Sequence, residues 1–244
     1  MKKNLAFVLL FLVATCCLAQ EPPVMYAVYE GQVKPSMDAT YVDAVKKLKD
    51  VCQQQKMTFT WHGGSYNGNW YVYLVPIKGF ADLDKNMFSE LEAKIGKEAH
   101  ASLWQGIDKC VDYNLSSVAA YYPTMSYMSP PQDEYFRNLF FWFPEVGKEA
   151  EADKLCAEWM KLYVDKKSPV GVQTYKMLFG GDKGYVFVGW GKNQADYEAK
   201  RQKANEMFGE ELSKLWAKTL LITRKSYTRV GWYRTDLSFI PATN

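Results

Sequence analysis

The sequence predicts an α+β fold built from two copies of one module, each ordered strand–helix–strand–strand–helix–strand. Three observations support this prediction. The same order of apolar patterns occurs in both halves of the chain, each half has a Gly-Gly pair around its central hairpin, and each second helix contains a glycine followed by a Leu-Trp pair. A recurring order of patterns is the usual sign of an internal repeat.

In the first half, segments whose apolar residues repeat every 2 positions, as in strands, alternate with segments in which they repeat every 3.6 positions, as in helices. Its predicted elements are a strand over 25–33, a helix over 39–55, a strand over 57–62, a turn over 63–69, a strand over 70–75, a long helix from Phe80 to Cys110, and a strand over 117–125. The first helix has Tyr41, Val45, Leu48 and Cys52 at helical spacing. This spacing predicts one buried helix face.

The second half repeats that order. Its predicted elements are a strand over 135–143, a helix over 148–165, strands over 171–179 and 185–190 joined by a Gly-rich turn, a long helix over 195–223, and a strand over 227–239. Pro130 and Pro131 can lie neither inside a helix nor inside a sheet. The predicted organisation is therefore a first module over 20–128, a linker over 129–134 and a second module over 135–240.

The two halves also match in detail. Gly63-Gly64 corresponds to Gly180-Gly181, Ala81-Asp82 to Ala195-Asp196, Ile95-Gly96 to Phe208-Gly209, and Leu103-Trp104 to Leu215-Trp216. A glycine inside a helix costs about 1 kcal/mol relative to alanine. Its presence at matching places predicts that both long helices are broken, or packed closely, at that point.

The strands are apolar on both faces, as the run 135–143 shows. A strand that is half exposed to water would alternate apolar and polar residues. One face is therefore expected to pack on the helices of its own module, and the other on the sheet of the second copy.

This arrangement resembles the dimeric α/β-barrel superfamily, which includes ferredoxin-like, antibiotic-biosynthesis-monooxygenase-like and NIPSNAP-like domains. The resemblance covers nearly all of residues 24–240 and rests on element order and duplication. It implies two tandem ferredoxin-like βαββαβ modules whose antiparallel sheets pack together as a pseudo-dimeric α/β barrel, in a chain that is a monomer. Two ferredoxin-like domains side by side, without a shared barrel, remain the alternative.

The first 19 residues are predicted to form a signal peptide. Met1-Lys2-Lys3 is followed by an apolar run from Leu5 to Val13 and by small residues before Gln20, as in secretory signals. The run is too short to span a bilayer, which needs about 20 apolar residues. A periplasmic or secreted protein is expected, and a lipid anchor at Cys16 or Cys17 is the alternative.

The charge balance and the cysteine content limit the classes of partner and of scaffold that this chain can have. The chain has 30 basic and 27 acidic residues, and signal removal takes away Lys2 and Lys3. The longest basic cluster, Arg224-Lys225 with Arg229, is interpreted as the solvated end of a helix. Because no clustered basic excess is visible, a nucleic-acid partner is not expected. The three remaining cysteines fall on helix stripes, which predicts buried thiols rather than a disulfide framework. They are Cys52, Cys110 and Cys156.

The chain has two histidines, His62 and His100, too few for a histidine-rich metal site, which usually takes three protein ligands. His62 is expected at a loop edge. His100 lies four residues before Trp104, so the two can meet on one helix face. In haem-degrading members of the resembled superfamily a helical histidine binds iron with help from an asparagine and a tryptophan. The first strand here has no asparagine, so haem is a minor alternative and no cofactor is favoured.

Aromatic residues on the strands predict clefts suited to flat or apolar ligands. The candidate ligand-binding residues are His100, Trp104, Tyr121, Trp142 and Trp216, and the glycine breaks mark where each cleft should lie. No catalytic residue can be named. The sequence therefore favours a non-enzymatic module that binds a small ligand or a partner. A cofactor-free or haem-linked monooxygenase-like enzyme is the alternative.

Overall fold

The structure is a computed structural model that describes residues 22–241. The first module contains β1 (Val24–Val33), α1 (Asp38–Gln54), β2 (His62–Tyr66), β3 (Trp70–Ile77), α2 (Ser89–Ile95), α3 (Lys97–Asp108) and β4 (Val111–Tyr121). The second contains β5 (Phe136–Pro144), α4 (Glu149–Asp165), β6 (Gln173–Phe179), β7 (Tyr185–Gly191), α5 (Gln194–Phe208), α6 (Glu210–Leu221) and β8 (Thr223–Tyr233). The predicted α+β class and the repeated element order are confirmed.

The eight strands form one closed barrel in the order β1-β3-β2-β8-β5-β7-β6-β4, with every neighbouring pair antiparallel. The two modules meet where β2 pairs with β8 and where β4 pairs with β6. Hydrogen-bonded strands therefore join the two copies. This excludes the alternative of side-by-side domains without a shared barrel.

Successive side chains of each strand point alternately into the barrel lumen and out toward the helices. On β5, Leu139 and Phe141 pack inside the barrel, whereas Phe136 and Trp142 pack against α4, α5 and α6. Both faces of the strand are thus covered. The expectation drawn from its two apolar faces is confirmed.

Both long helices are broken at the glycines identified from the sequence. Gly96 separates α2 from α3 with a φ of 85°, and Gly209 separates α5 from α6 with a φ of 54°. A Cβ atom added at either position would meet no other atom within 4 Å. The glycines are therefore required by the left-handed backbone and not by close packing.

The segment 57–69 was predicted wrongly. The strand begins at His62, so Gly63 and Gly64 lie inside β2 and pair with Tyr73 and Val72. A Cβ at Gly63 would lie 3.0 Å from the Leu237 carbonyl oxygen, so this glycine permits close packing rather than a turn. The turn is confined to residues 67–69.

The last strand of each module starts earlier than predicted. β4 covers 111–121 rather than 117–125, and β8 covers 223–233 rather than 227–239. After β8 the chain turns, and Phe239 forms an isolated bridge with Trp61. The apolar residues near 239 therefore belong to a C-terminal segment that packs on the first module.

The three cysteines of the described chain are buried and free, as expected. Burial raises the pKa of the Cys52 and Cys156 thiols to about 12. Within residues 22–241, no helix has the length and apolar character needed to cross a membrane. The predicted signal segment lies outside the described residues.

Candidate functional site

The first module contains a cavity of about 500 Å³ between the outer face of its strands and helices α1 and α3. The loop 85–88 closes one side. Most of the lining is apolar or aromatic. The lining residues are Tyr29, Glu30, Gly31, Tyr41, Val45, Leu48, Trp61, Tyr73, Val75, Lys85, Asn86, Met87, Phe88, Trp104, Ile107, Asp108, Val111, Asn114, Leu115 and Ser116. We call this space the first-module cleft.

Gly31 is one reason why this cleft is open. It pairs with Tyr71 and lies just before the β-bulge of β1. The residue in the same place on β5 is Trp142, which pairs with Tyr185 and lies just before the bulge of that strand. A glycine thus leaves space in the first module where an indole fills it in the second.

A second replacement on the helices has the same effect. Leu48 of α1 lines the cleft, and the residue at the same position of α4 is Trp159. In the second module the indole N–H of Trp159 donates to Thr219 Oγ1 at 2.9 Å, and that of Trp142 donates to Thr223 Oγ1 at 2.7 Å. Two hydrogen-bonded tryptophans therefore close the second cleft with their polar atoms satisfied.

The second module instead has a surface groove of about 270 Å³ between α4 and α6. Most of its lining side chains are charged, including Glu158, Lys161, Glu211 and Lys218. It does not lie between sheet and helix. The first module therefore has the expected cleft between sheet and helix, whereas Trp142 and Trp159 occupy the corresponding place in the second module.

Two tyrosine hydroxyls supply polar groups at the wall of the first-module cleft. The Tyr41 hydroxyl donates to the Tyr73 hydroxyl oxygen at 3.2 Å. Burial raises the pKa of Tyr41 to about 12 and that of Tyr73 well above its ordinary value. Both hydroxyls therefore stay protonated near neutral pH, where they act as hydrogen-bond donors and not as bases.

Trp104 lines the cleft, but His100 lies behind it. The Trp104 indole N–H donates to His100 Nε2 at 3.0 Å, and His100 Nδ1 lies 3.8 Å from the Glu92 carboxylate. His100 thus orients Trp104. It does not present a ring nitrogen to the cleft, so the residues here do not fit a histidine-ligated haem.

The other candidate residues lie in separate places. Tyr121 contacts Tyr175 at the inside of the barrel, with ring centroids 5.4 Å apart. Trp142 is buried in the closed cleft of the second module, and Trp216 on α6 remains 41% exposed. Of the five candidates, only Trp104 lines the first-module cleft.

Sequence reasoning missed the importance of Gly31, Tyr41, Tyr73 and Phe88. In the sequence, Tyr41 lies on a helix stripe and Tyr73 falls in the predicted strand 70–75, and core residues occupy the same kinds of position. Gly31 gave a usable signal, because a glycine inside a strand often marks a place where no side chain is tolerated or required. Its meaning depends on a comparison with Trp142, which needs the strand register.

Comparisons with known proteins extend the description of the fold. No family model matches the chain, and no curated protein matches it. Among solved structures, an anthrone oxidase-like protein is similar with a TM-score of 0.58 at 11% identity, covering 88% of this chain and 92% of the other. A protein from Lactobacillus acidophilus assigned as a monooxygenase has a TM-score of 0.55 at 9% identity, with coverage of 91% and 98%.

A chlorite dismutase variant from Candidatus Nitrospira defluvii has a TM-score of 0.53 at 11% identity, covering 87% of this chain and 92% of that one. At these identities the likeness concerns the fold. It agrees with the closed eight-stranded barrel described above, and it carries no assignment of chemistry.

Proposed function

We propose that this chain, which has the dimeric α/β-barrel fold, binds a flat, largely apolar aromatic molecule in its first-module cleft. On this proposal it is a binding module and not an enzyme. The observation that supports it is the difference between the modules. One copy keeps an open aromatic cleft where the other is closed by Trp142 and Trp159.

The size and lining of the cleft suit such a ligand. A volume of about 500 Å³ lies within the range of small-molecule sites. Trp61, Phe88 and Trp104 offer ring faces and edges, and Phe88 already packs edge-on against Trp104 at 4.8 Å. Aromatic contacts of this kind add about 0.5–1.5 kcal/mol each beyond the burial of apolar area.

The polar groups restrict the ligand further. Tyr41 donates to Tyr73, which leaves the Tyr73 hydroxyl proton free to donate to a ligand oxygen. Asn114 and Ser116 lie at the cleft wall contributed by β4. A ring system with one carbonyl or hydroxyl oxygen would therefore find a hydrogen-bond partner for that oxygen. A multiply charged ligand would leave some of its charges without a partner.

The alternative function is oxidation of an aromatic substrate without a cofactor. One observation favours it: the cleft can hold such a substrate between hydroxyl donors and apolar walls. However, burial raises the pKa of the Tyr41 and Tyr73 hydroxyls, so neither tyrosine can accept a proton from a substrate near neutral pH. Oxygen consumption with hydroxylated naphthalenes and anthracenes would reveal such an enzyme.

We also propose that the protein acts outside the cytoplasm. The basic start, apolar run and small residues before Gln20 support this proposal. Mass spectrometry of the chain isolated from its source would show a cut between Ala19 and Gln20. A chain that keeps residues 1–19 would contradict it, and an acylated Cys16 or Cys17 would identify the lipid-anchored form.

Binding is tested with the uncharged fluorophore N-phenylnaphthylamine, whose emission rises in apolar surroundings. Wild-type protein should bind one equivalent, and Gly31→Trp should abolish binding because the indole would occupy the cleft. A Cβ at Gly31 makes only ordinary contacts, the nearest at 3.4 Å, so the variant should fold.

The matched control is Gly181→Trp, the same change in an exposed hairpin turn where a Cβ meets no atom within 4 Å. This control should bind the fluorophore as the wild type does. The proposal fails if the wild type binds no fluorophore, or if Gly31→Trp binds as well as Gly181→Trp.

A further inference from the structure

The inside of the barrel contains more positive than negative charge. The lumen face of the strands carries two guanidinium groups, Arg137 and Arg229, and one carboxylate, Glu30. At the exposed end of the same face the Lys225 ammonium lies 5.4 Å from the ring centroids of Phe143 and Tyr227. Arg229 Nη1 donates to Glu30 Oε2, and this pair joins β8 of the second module to β1 of the first. Arg137 is left without an acidic partner in the lumen.

The contacts of Arg137 confirm this imbalance. Its Nη1 donates to two backbone carbonyl oxygens, those of Glu134 at 2.6 Å and Phe136 at 2.9 Å, and its guanidinium lies 5.6 Å from the Tyr233 ring centroid. Among the described residues, no carboxylate lies within 4 Å of it. The Glu134 carboxylate is engaged instead by Lys200 at 2.5 Å.

Tyr66 and Tyr175 lie on the same lumen face as this guanidinium. Tyr66 and Arg137 both pair with Gly231 of β8, and both tyrosines pack against the lumen cluster that contains Leu139. Burial raises the pKa of Tyr66 to about 12, and the nearby positive charge of Arg137 opposes that rise. Burial also raises the pKa of Tyr175, again opposed in part by Arg137. Neither hydroxyl forms a hydrogen bond within the described chain, so both are free donors beside an unpaired cation.

The backbone makes room for this arrangement. A Cβ at Gly64 would lie 2.7 Å from the Tyr66 hydroxyl oxygen, and one at Gly231 would lie 2.7 Å from Tyr66. Arg137, Tyr66 and Tyr175 are each half-buried, and neither tyrosine hydroxyl is among the described side-chain nitrogen and oxygen atoms that are fully enclosed without a hydrogen-bond partner. Solvent therefore reaches these three side chains.

We propose that Arg137, with the hydroxyls of Tyr66 and Tyr175, binds the carboxylate of a small aromatic or apolar acid inside the barrel. A planar guanidinium matches a carboxylate, and two hydroxyl donors would satisfy its remaining lone pairs. The surrounding lumen residues are apolar, including Leu139 and Met177. This site is separate from the first-module cleft, which lies on the other face of the sheet.

Calorimetric titration of the full chain with sodium benzoate tests the proposal, and benzamide serves as the uncharged ligand of the same shape. Benzoate should bind, and benzamide should bind at least about tenfold more weakly, because a hydrogen bond to a charged group contributes about 1.5–3 kcal/mol. Arg137→Gln should weaken benzoate binding by a similar factor. Tyr175→Phe, which removes one oxygen, should weaken it severalfold even if Arg137→Gln does not fold.

Two control variants locate the site. Arg224→Gln removes a surface guanidinium that pairs with Asp182, and it should leave benzoate binding unchanged. Gly31→Trp should also leave it unchanged, because it blocks the other site. The proposal is overturned if benzoate binds more weakly than about 1 mM. It is equally overturned if benzamide binds as well as benzoate, if Tyr175→Phe has no effect, or if Gly31→Trp abolishes binding.

Discussion

Replacement of Trp142 by alanine tests whether this indole closes the second module. Its side chain is 2% exposed, and its N–H donates to Thr223 Oγ1 at 2.7 Å. Burying roughly 150–250 Å² at about 25 cal/mol per Å² corresponds to about 4–6 kcal/mol. Because Thr223 Oγ1 also donates to the Thr219 carbonyl at 2.7 Å, the truncation leaves that hydroxyl with a partner. We therefore expect a loss of about 3–5 kcal/mol in the free energy of unfolding.

Trp216→Ala is the matched control, since it removes the same side chain from the same module. Trp216 keeps 41% of its surface exposed and contacts Phe140 and Trp159. Its loss should cost about half as much as that of Trp142. Equilibrium unfolding in urea, followed by fluorescence and circular dichroism, measures both variants. A cost for Trp142→Ala no greater than for Trp216→Ala would refute the reasoning.

Three further predictions concern charge and thiols. Glu30→Gln should lower the free energy of unfolding by about 3–5 kcal/mol, because it leaves Arg229, whose side chain is only 15% exposed, without a carboxylate partner. In urea unfolding, Glu30→Leu combined with Arg229→Met should restore most of that loss. The hydrogen bond from Arg234 lowers the pKa of Asp236 to about 2, so its stabilisation is present above about pH 4 and is lost as pH falls toward 2. Asp236→Asn should thus cost about 0.2–1 kcal/mol at pH 7, reduced by its 41% side-chain exposure, and nothing near pH 2. The cysteine thiols should react with a disulfide reagent in denaturant but not in the native protein, and fast native labelling would contradict their burial. They are Cys52, Cys110 and Cys156.

Much of the fold follows from local patterns. The helix stripe of α1, the two-sided apolar strand β5 and the glycine breaks at Gly96 and Gly209 each depend on neighbouring residues, so the sequence was enough to predict them. The ends of the strands were harder to predict from the sequence. Gly63 and Gly64 look like turn residues, but Gly63 lets β2 approach the C-terminal segment around Leu237, a contact distant in sequence, and Gly64 leaves room for the Tyr66 ring.

The residues of the candidate site were harder to predict than the fold, because their roles also depend on contacts between residues distant in sequence. Trp104, Trp142 and Trp216 look equivalent as aromatic residues of a repeated module. Their different roles depend on what lies opposite each of them, and that is set by the pairing of Gly31 with Tyr71 and of Trp142 with Tyr185. Register is a property of the assembled sheet, so neither composition nor spacing reveals which cleft is open.

The grouping of charged residues inside the barrel could not be predicted from local sequence either. Arg137 and Glu30 occur in strands of different modules, and nothing local indicates that both side chains point into one barrel. The closed strand order places them there together with Arg229. Only after closure does the excess of one guanidinium become visible.

A crystal structure of the chain with bromonaphthalene bound, located by the anomalous scattering of bromine, tests the central claim most directly. We expect a bromine peak in the first-module cleft, between α3 and β3 and in contact with Trp104. We expect no peak between the helices and sheet of the second module, where Trp142 and Trp159 fill the space. Peaks in both modules, or in the second alone, would contradict it.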